Sequence, residues 1–188
     1  MKRSALIELY APGIVLFDPV QFAAFIKSKG LTDTNIFNAF LKDEALGRQA
    51  IEQGVVFPIY QISEQEYSVF TECQNVGVDD LPEPVFEYSG LPLVIVSGVL
   101  IVSDLNALFD WDEDFFLNYK AEYASRLPSN DYIDVEPGIY SLSIKGYAGL
   151  REYGSEYGYG LEFISVPVLP VVADGSDVSH LDFELVAC

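Results

Sequence analysis

Short apolar runs separated by turn-forming residues dominate the hydrophobic pattern of the chain. Such runs, rich in Val, Ile, Leu and Tyr, are typical of β-strands. Two of them, at residues 55–62 and 67–73, are separated by a short polar segment, which predicts neighbouring strands in a hairpin. We expect strands at residues 4–10, 14–17, 55–62, 67–73, 85–88, 93–96, 99–102, 132–135, 139–147, 161–168 and 181–186.

Three of the predicted strands carry information about their place in a sheet. Pro58 has no backbone N–H to donate, so the strand at 55–62 is expected at a sheet edge or with a bulge. The segments at 93–96 and 99–102 are almost wholly apolar, which predicts that at least one is covered on both faces. Ser97 and Gly98 between them suit a tight turn or a bulge.

Helical spacing of apolar residues appears in two parts of the chain. Asp18 and Pro19 form a helix start, since Asp caps and Pro suits the first helical position. A second helix is expected to begin at Thr32 or Asp33 and to continue to Gly54. Further on, Asp104 is expected to cap a short helix, and a longer one is expected over residues 112–126.

These elements predict an α+β fold with a largely antiparallel sheet and two groups of helices. Residues 1–188 contain no internal repeat and no linker long enough to divide them. We therefore expect a single domain.

The acidic residues are unevenly distributed. The net charge is −19, yet residues 1–48 carry six Lys or Arg against five acids. Residues 49–119 carry thirteen acids and no Lys or Arg, and residues 152–188 carry seven acids and no Lys or Arg. Such a surface repels nucleic acid and anionic membranes and attracts basic proteins. The alternative is that the acidity serves only solubility.

Three acidic or aromatic clusters are candidates for contact with a partner. Four carboxylates surround one indole within five residues, and Trp and Tyr with a charged rim make good interface anchors. A second cluster lies in the predicted loop at 75–84, and a Gly/Tyr-rich connection at 146–160 has the composition of adaptable binding loops. The candidates are Asp110, Trp111, Asp112, Glu113 and Asp114; Asp79, Asp80 and Glu83; and Tyr153, Glu156, Tyr157 and Tyr159.

Each cluster also has a purely structural interpretation. Asp112, Glu113 and Asp114 suit the first turn of a helix, where negative charge is favourable. The loop at 75–84 suits a solvated connection. The tyrosines of the connection at 146–160 suit packing against the sheet. Arg151 is the one Lys or Arg between residues 146 and 160, which argues against stacking on RNA or DNA.

Residue types needed for common catalytic sites are scarce. His180 is the single histidine, and Cys73 and Cys188 have no neighbouring positive charge in sequence to lower a thiol pKa. Asp110, Asp112 and Asp114 have the spacing that opens a calcium loop, but the sixth and twelfth positions lack the required Gly and Glu. We therefore predict a binding protein without catalytic residues, metal or cofactor.

The sequence also predicts the cellular location of the protein. The longest apolar run, at 91–102, is about half of what a bilayer-spanning helix needs. The N-terminal residues do not suit a signal peptide, because Glu8, Pro12 and Gly13 interrupt the apolar stretch. We expect a cytoplasmic protein that contacts no membrane, with both thiols reduced.

The strand at 136–147, which reads EPGIYSLSIKGY, is followed by a Gly-rich segment and by GLEFISVPV at 160–168. Together with the acidity, this pattern resembles the small immunity proteins of bacterial toxin systems. The resemblance covers about a quarter of the chain and transfers no functional residue. It implies a cytoplasmic inhibitor that binds a cognate basic toxin, often a nuclease.

Two other function classes remain open at this stage. One is a DNA mimic, which would inhibit a nucleic-acid-binding protein with carboxylates spaced like phosphates. The other is an enzyme that uses only carboxylates and tyrosines, such as a glycoside hydrolase. A deep cleft with two facing carboxylates would favour the enzyme.

Overall fold

The computed structural model describes residues 1–72, 81–123, 127–151, 153–172 and 180–186. Within these ranges the chain forms nine strands and five helices. In chain order they are β1 (Ser4–Glu8), β2 (Gly13–Phe17), α1 (Pro19–Ser28), α2 (Ile36–Lys42), α3 (Glu44–Glu52), β3 (Val56–Tyr60), β4 (Glu66–Thr71), β5 (Phe86–Ile95), β6 (Val99–Asp104), α4 (Asn106–Phe109), α5 (Glu113–Glu122), β7 (Asn130–Asp134), β8 (Gly138–Ala148) and β9 (Tyr157–Ser165).

The strands form two sheets that are almost wholly antiparallel. The five-stranded sheet has the order β1-β4-β9-β8-β5, and the four-stranded sheet has the order β3-β2-β6-β7. The pairing of β4 with β9 is parallel, and the other pairings within the two sheets are antiparallel. The predicted α+β class is confirmed, with two sheets where the sequence suggested one.

The two sheets face each other across the larger hydrophobic core. Strand residues that alternate along each sheet point into it, among them Leu16 and Val102 from the four-stranded sheet and Leu93, Leu142 and Leu161 from the five-stranded sheet. All five are fully buried. This alternation explains why the sequence reads as short amphipathic strands.

The helices cover the other face of the four-stranded sheet. Val15 and Ile101 point from that face into a second core, where they meet helix residues such as Phe22 and Phe116. Strand β6 is therefore covered on both faces, as its apolar sequence predicted. The molecule has three layers: helices, four-stranded sheet and five-stranded sheet.

The start of α1 agrees with its sequence signal, whereas the next helix differs from the prediction. Asp18 caps α1 and Pro19 is its first residue. The single helix predicted from Thr32 or Asp33 to Gly54 is instead two helices. Asn35 caps α2, and Asp43 caps α3 by accepting a hydrogen bond from the Leu46 N–H at 3.1 Å. A capping Asp inside an apolar-periodic stretch explains the break.

The predicted hairpin between the strands at 55–62 and 67–73 is wrong. Strand β3 lies in the four-stranded sheet, where it pairs with β2, and β4 lies in the five-stranded sheet between β1 and β9. The turn at Ser97 and Gly98 likewise carries the chain from β5 in one sheet to β6 in the other. Pro58 does lie in an edge strand, as predicted. Strands that cross between facing sheets have the same apolar pattern as hairpin strands.

The last predicted strand, at 181–186, is not a strand in the structure. Residues 180–186, here called the C-terminal strap, lie across the gap between the two sheets. Phe183 and Leu185 are buried in the larger core, while Asp182 is exposed. The alternation of buried apolar and more exposed acidic residues was therefore predicted correctly. The segment is held by hydrogen bonds to side chains and not by a ladder of backbone bonds to another strand.

Candidate protein-binding surface

Residues 110–114, here called the acidic turn, connect α4 to α5 in the helix layer. Asp110, Glu113 and Asp114 are exposed. Asp112 is also exposed, and its carboxylate accepts a hydrogen bond from the Phe115 N–H at 3.0 Å. The structural interpretation of these acids as a helix start is therefore correct, and three carboxylates remain directed to solvent.

Trp111 does not reach the surface. Its side chain is 7% exposed, and its ring stacks on Phe116 at 5.1 Å and meets the edges of Phe22 and Phe17 at 4.8 and 5.7 Å. The indole N–H is buried without a hydrogen-bond partner in the described part of the chain. The expectation that Trp111 is an exposed anchor is corrected: it is a core residue, because the aromatic side chains of α1 and α5 enclose it.

The second cluster is described only in part. Asp79 and Asp80 lie outside the described residues. Glu83 is exposed and lines a cavity of about 480 Å³ on the outer face of the five-stranded sheet. The same cavity is lined by Tyr153 from the Gly/Tyr connection, so the fold brings two of the predicted clusters together.

The Gly/Tyr connection packs on the sheet, as its structural interpretation predicted. The Tyr153 ring stacks on Phe70 at 4.2 Å between ring centres. The Ser68 hydroxyl donates a hydrogen bond to the Tyr153 carbonyl at 2.5 Å, and the Ser155 hydroxyl donates to the Glu66 carbonyl at 2.6 Å. The connection therefore covers the outer side of strand β4.

The remaining candidates of this connection differ in accessibility. Tyr159 is fully buried, its hydroxyl donates to the Phe183 carbonyl at 3.0 Å, and burial raises its pKa far above the ordinary value. Tyr157 is half-buried and packs against the core between the sheets, whereas Glu156 is exposed. Of these three residues, Glu156 presents its side chain most fully to solvent, and Tyr159 is a core residue.

A charged cluster forms one wall of the cavity. The sequence marked Glu72 as an acidic candidate but did not predict its partners Lys145 and Tyr147. The Lys145 ammonium and the Tyr147 hydroxyl both donate to the carboxylate of Glu72, at 2.7 and 2.5 Å. The hydrogen bond to Glu72 raises the pKa of Lys145. Burial, followed by the bond to Glu72, raises the pKa of Tyr147. Side chains alternate between the two faces of a strand, so the sequence of β8 could have predicted that Lys145 and Tyr147 lie on one face.

Gly160 makes room for this cluster. It lies in β9, opposite Lys145 in the ladder between β8 and β9. A Cβ at this position would collide with the Glu72 carboxylate and would lie 2.9 Å from the Tyr147 ring. A glycine in a strand interior often marks such a close approach, so the cluster and the strand sequence fit each other.

Two groups of exposed acids lie on opposite sides of the molecule. The acidic turn belongs to the helix layer, and Glu83 and Glu87 line the cavity on the outer face of the five-stranded sheet. The four-stranded sheet and both cores separate these two surfaces. A single compact partner surface therefore cannot cover both.

Two other features are absent from the part of the chain that the structure describes. Among those residues, no group of three or more His, Cys, Asp or Glu side chains is arranged to hold a metal ion. None of the described helices is long and apolar enough to cross a bilayer.

Comparison with known proteins gives weak structural likeness and no sequence match. No protein family matches the sequence, and no curated protein matches it. Two solved structures are similar in fold. ComJ from Bacillus subtilis, an inhibitor of the DNA-degrading activity of NucA, has 10% identity and a TM-score of 0.44 over 87% of this chain and 96% of its own. The product of crocagin biosynthetic gene J has 9% identity and a TM-score of 0.46 over 86% and 96%.

Proposed function

We propose that the protein is an acidic inhibitor that binds a basic protein, with a toxin as the first candidate. The observation that carries the proposal is the segment 49–119, which has thirteen acids and no Lys or Arg. In the fold, eight of its described acids are exposed, namely Glu52, Glu64, Glu83, Glu87, Asp110, Asp112, Glu113 and Asp114, whereas Asp104 is buried.

Electrostatic complementarity is the physical basis of this proposed binding. A surface of one sign attracts a partner of the opposite sign and speeds association, reaching about 10⁸ M⁻¹s⁻¹ or more at low salt. Charge contributes specificity and rate more than affinity, so apolar contacts must supply the rest. The fold likeness to ComJ, at the values given above, adds no weight to this argument.

The test starts with tagged full-length protein incubated in lysate of the source organism and washed at low and high salt. We expect one basic protein to be retained in near-stoichiometric amount, as identified by mass spectrometry. That protein is then purified, and its toxic or enzymatic activity is measured with and without the inhibitor. Complex formation between the two purified proteins should weaken as the salt concentration rises.

Two outcomes would contradict the proposal, and a third would favour the alternative. Retention of acidic or neutral proteins alone would contradict charge complementarity. An unchanged activity of the retained basic protein would contradict inhibition while leaving binding intact. A retained nucleic-acid-binding protein that is not toxic would favour the DNA-mimic alternative, because that alternative involves no toxin.

A further inference from the structure

Part of the outer face of the five-stranded sheet carries exposed side chains in the described part of the chain. The helices pack on the four-stranded sheet, and α3 also contacts the edge strand β5. The Gly/Tyr connection lies over β1 and β4, where Gly154 sits against Leu6 and Tyr153 against Phe70. Among the outward side chains of β5, β8 and β9, Ser143 and Pro92 are buried, whereas Glu87, Ile139 and Ile164 are exposed. This face of the three strands is here called the open sheet face.

The ladder registers order these side chains into rows across the three strands. Glu87 lies opposite Lys145, and Glu162 lies opposite Ser143 in the next row. Further along the strands, Ile164 lies opposite Ser141. Val94 lies opposite Ile139 in the last row. One end of the open sheet face is therefore charged, and the other end is aliphatic.

The aliphatic end is unusual for a solvent-facing sheet. An antiparallel sheet with one face in water normally carries polar residues on that face. Here Ile164 is 50% exposed and Ile139 is 37% exposed, with Val94 half-buried beside them. Adjoining exposed aliphatic side chains rimmed by charge mark interaction surfaces.

The charged end is acidic on balance. Glu83 and Glu87 are exposed at the neighbouring cavity. The Lys145 ammonium is engaged by Glu72 at 2.7 Å and lies 4.0 Å from Glu162. Arg3 lines the same cavity, so two cations, Lys145 and Arg3, stand against the four carboxylates of Glu72, Glu83, Glu87 and Glu162. The exposed carboxylates of Glu83 and Glu87 supply the acidic groups for an incoming cation.

We propose that the open sheet face is the docking surface for the basic partner, and that the partner presents aliphatic side chains together with Arg or Lys. This inference rests on the proposed function and names its surface. The aliphatic side chains seat on Ile139 and Ile164, and the cations reach Glu83 and Glu87. The acidic turn is less suited, because Trp111 is in the core and Leu117 is the one exposed large aliphatic side chain on the described helix α5 beside it.

The test uses a minimal probe of defined chemistry, a blocked hexapeptide of alternating arginine and leucine. Its control has serine in place of leucine and the same charge. Each peptide is titrated into isotopically labelled full-length protein, and the backbone amide shifts are recorded. We expect the largest shifts in β8 and β9, and an affinity about tenfold higher for the leucine peptide.

Matched variants decide which surface is used. Ile164→Ser should remove the preference for the leucine peptide, and Glu87→Gln should weaken both peptides. Leu41→Ser, which replaces a residue 64% exposed on α2, and Glu113→Gln in the acidic turn should leave both affinities unchanged. Shifts confined to residues 110–117, or equal affinity for the two peptides, would overturn the inference.

The same variants distinguish a failure of the proposed docking surface from a failure of the proposed function. If the wild-type protein and Ile164→Ser retain the same basic partner equally in the lysate experiment, the docking surface lies elsewhere and the proposed function stands. If the wild-type protein retains no basic partner, the proposed function fails, and the docking surface fails with it. Circular dichroism before each titration confirms that the exposed substitutions leave the fold intact.

Discussion

Three aspartates carry their carboxylates into the interior of this acidic protein. Asp18, Asp104 and Asp131 are at most 2% exposed. Asp104 accepts backbone hydrogen bonds from Tyr10, Ala11 and Asn106 at 2.5, 3.0 and 2.6 Å. Asp131 accepts from the Lys2 ammonium and from the N–H groups of Leu6 and Tyr132. A buried charge is tolerated only with such partners, so these residues connect segments and do not contribute to the binding surface.

Asp18 has the most extensive set of bonds. Its Oδ1 accepts from the N–H groups of Val20 and Gln21 at 2.9 and 3.0 Å, which caps α1. Its Oδ2 accepts from the Val96 N–H, the Ser97 N–H and the Ser97 hydroxyl at 2.8, 2.6 and 2.7 Å. One carboxylate therefore ties the helix layer to the turn that joins the two sheets.

We expect Asp18→Ala to lower the free energy of unfolding by about 3 kcal/mol, because it leaves several buried donors without an acceptor. The control is Asp43→Ala, which removes an exposed cap with one bond and should lower it by about 1 kcal/mol. Urea unfolding followed by circular dichroism measures both. Equal losses for the two variants would show that the bonds to Val96 and Ser97 contribute nothing.

The sequence predicted part of this arrangement at the residue scale. Asp18 before Pro19 identified the helix start, since capping depends on neighbours in sequence. The bonds from Asp18 to Val96 and Ser97 join residues 78 and 79 positions apart, and no local pattern encodes them. The prediction that Trp111 is a surface anchor was wrong for the same reason. A Trp between carboxylates in sequence suggests exposure, and only the packing of the neighbouring helices shows that it is buried.

The C-terminal strap is the element whose role the sequence misrepresented. Phe183 is 1% exposed and packs its ring against Phe86, Tyr88 and Phe57 at 5.8, 5.4 and 6.2 Å. The Tyr88 hydroxyl donates to the Asp182 carbonyl at 2.9 Å. The strap thus closes the larger core at the gap between β3 and β5, which belong to different sheets.

We expect Phe183→Ala to lower the free energy of unfolding by about 3–5 kcal/mol, since it leaves a cavity in the core between the sheets. Val168→Ala is the control, because Val168 is 73% exposed and should change stability by less than about 0.5 kcal/mol. Chemical denaturation measures both values. A loss below 1 kcal/mol for Phe183→Ala, roughly the effect of a surface change, would mean that the strap does not close the core.

The strap also has a pH-sensitive attachment at Glu184. Burial alone would raise the pKa of this carboxyl, but donors from Val186, Ser63 and Leu185 outweigh burial and lower the pKa. The Ser63 N–H and hydroxyl both donate to it at 2.8 Å. A carboxyl with a lowered folded-state pKa contributes stability above its ordinary pKa and loses that contribution as pH falls through the folded-state value.

We therefore expect Glu184→Gln to reduce stability near neutral pH and to reduce the loss of stability on acidification. The measurement is the free energy of unfolding of both proteins near pH 7 and near pH 4, in urea. The wild-type protein should exceed the variant by more at the higher pH, because the carboxylate is ionised there. A difference that is constant with pH would contradict a role for the ionised group.

At the scale of elements, the sequence predicted which segments are strands far better than it predicted their partners. Apolar alternation depends on one face being buried, and that condition holds equally in a hairpin and in facing sheets. The pairing of β4 with β9 is parallel and joins residues far apart in sequence. No turn motif in the sequence predicts such a pairing. The cavity that joins Glu83 and Tyr153 depends on that pairing, and it was equally inaccessible to sequence reasoning.

At the scale of the whole molecule, the net charge affects both the stability of the fold and the attraction of a partner. Ten Lys or Arg oppose twenty-nine Asp or Glu, which gives a net charge of −19 near neutral pH. A compact body of one sign repels itself, and this repulsion lowers the stability of the folded state. The same field attracts a basic partner, so a partner that docks on the open sheet face would also relieve part of the repulsion.

We expect salt to stabilise the free protein, because added ions screen this repulsion. Raising the salt concentration from low to moderate ionic strength at neutral pH should raise the melting temperature by about 3 °C, which corresponds to about 1 kcal/mol for a domain of this size. Near the sequence pI of about 4.1 the net charge vanishes, so the salt effect should disappear there. Calorimetry at the two pH values provides the comparison. A fall in melting temperature with salt at neutral pH would mean that favourable ion pairs such as Lys145–Glu72 outweigh the repulsion between acids, and the electrostatic argument for a basic partner would then lose its physical basis.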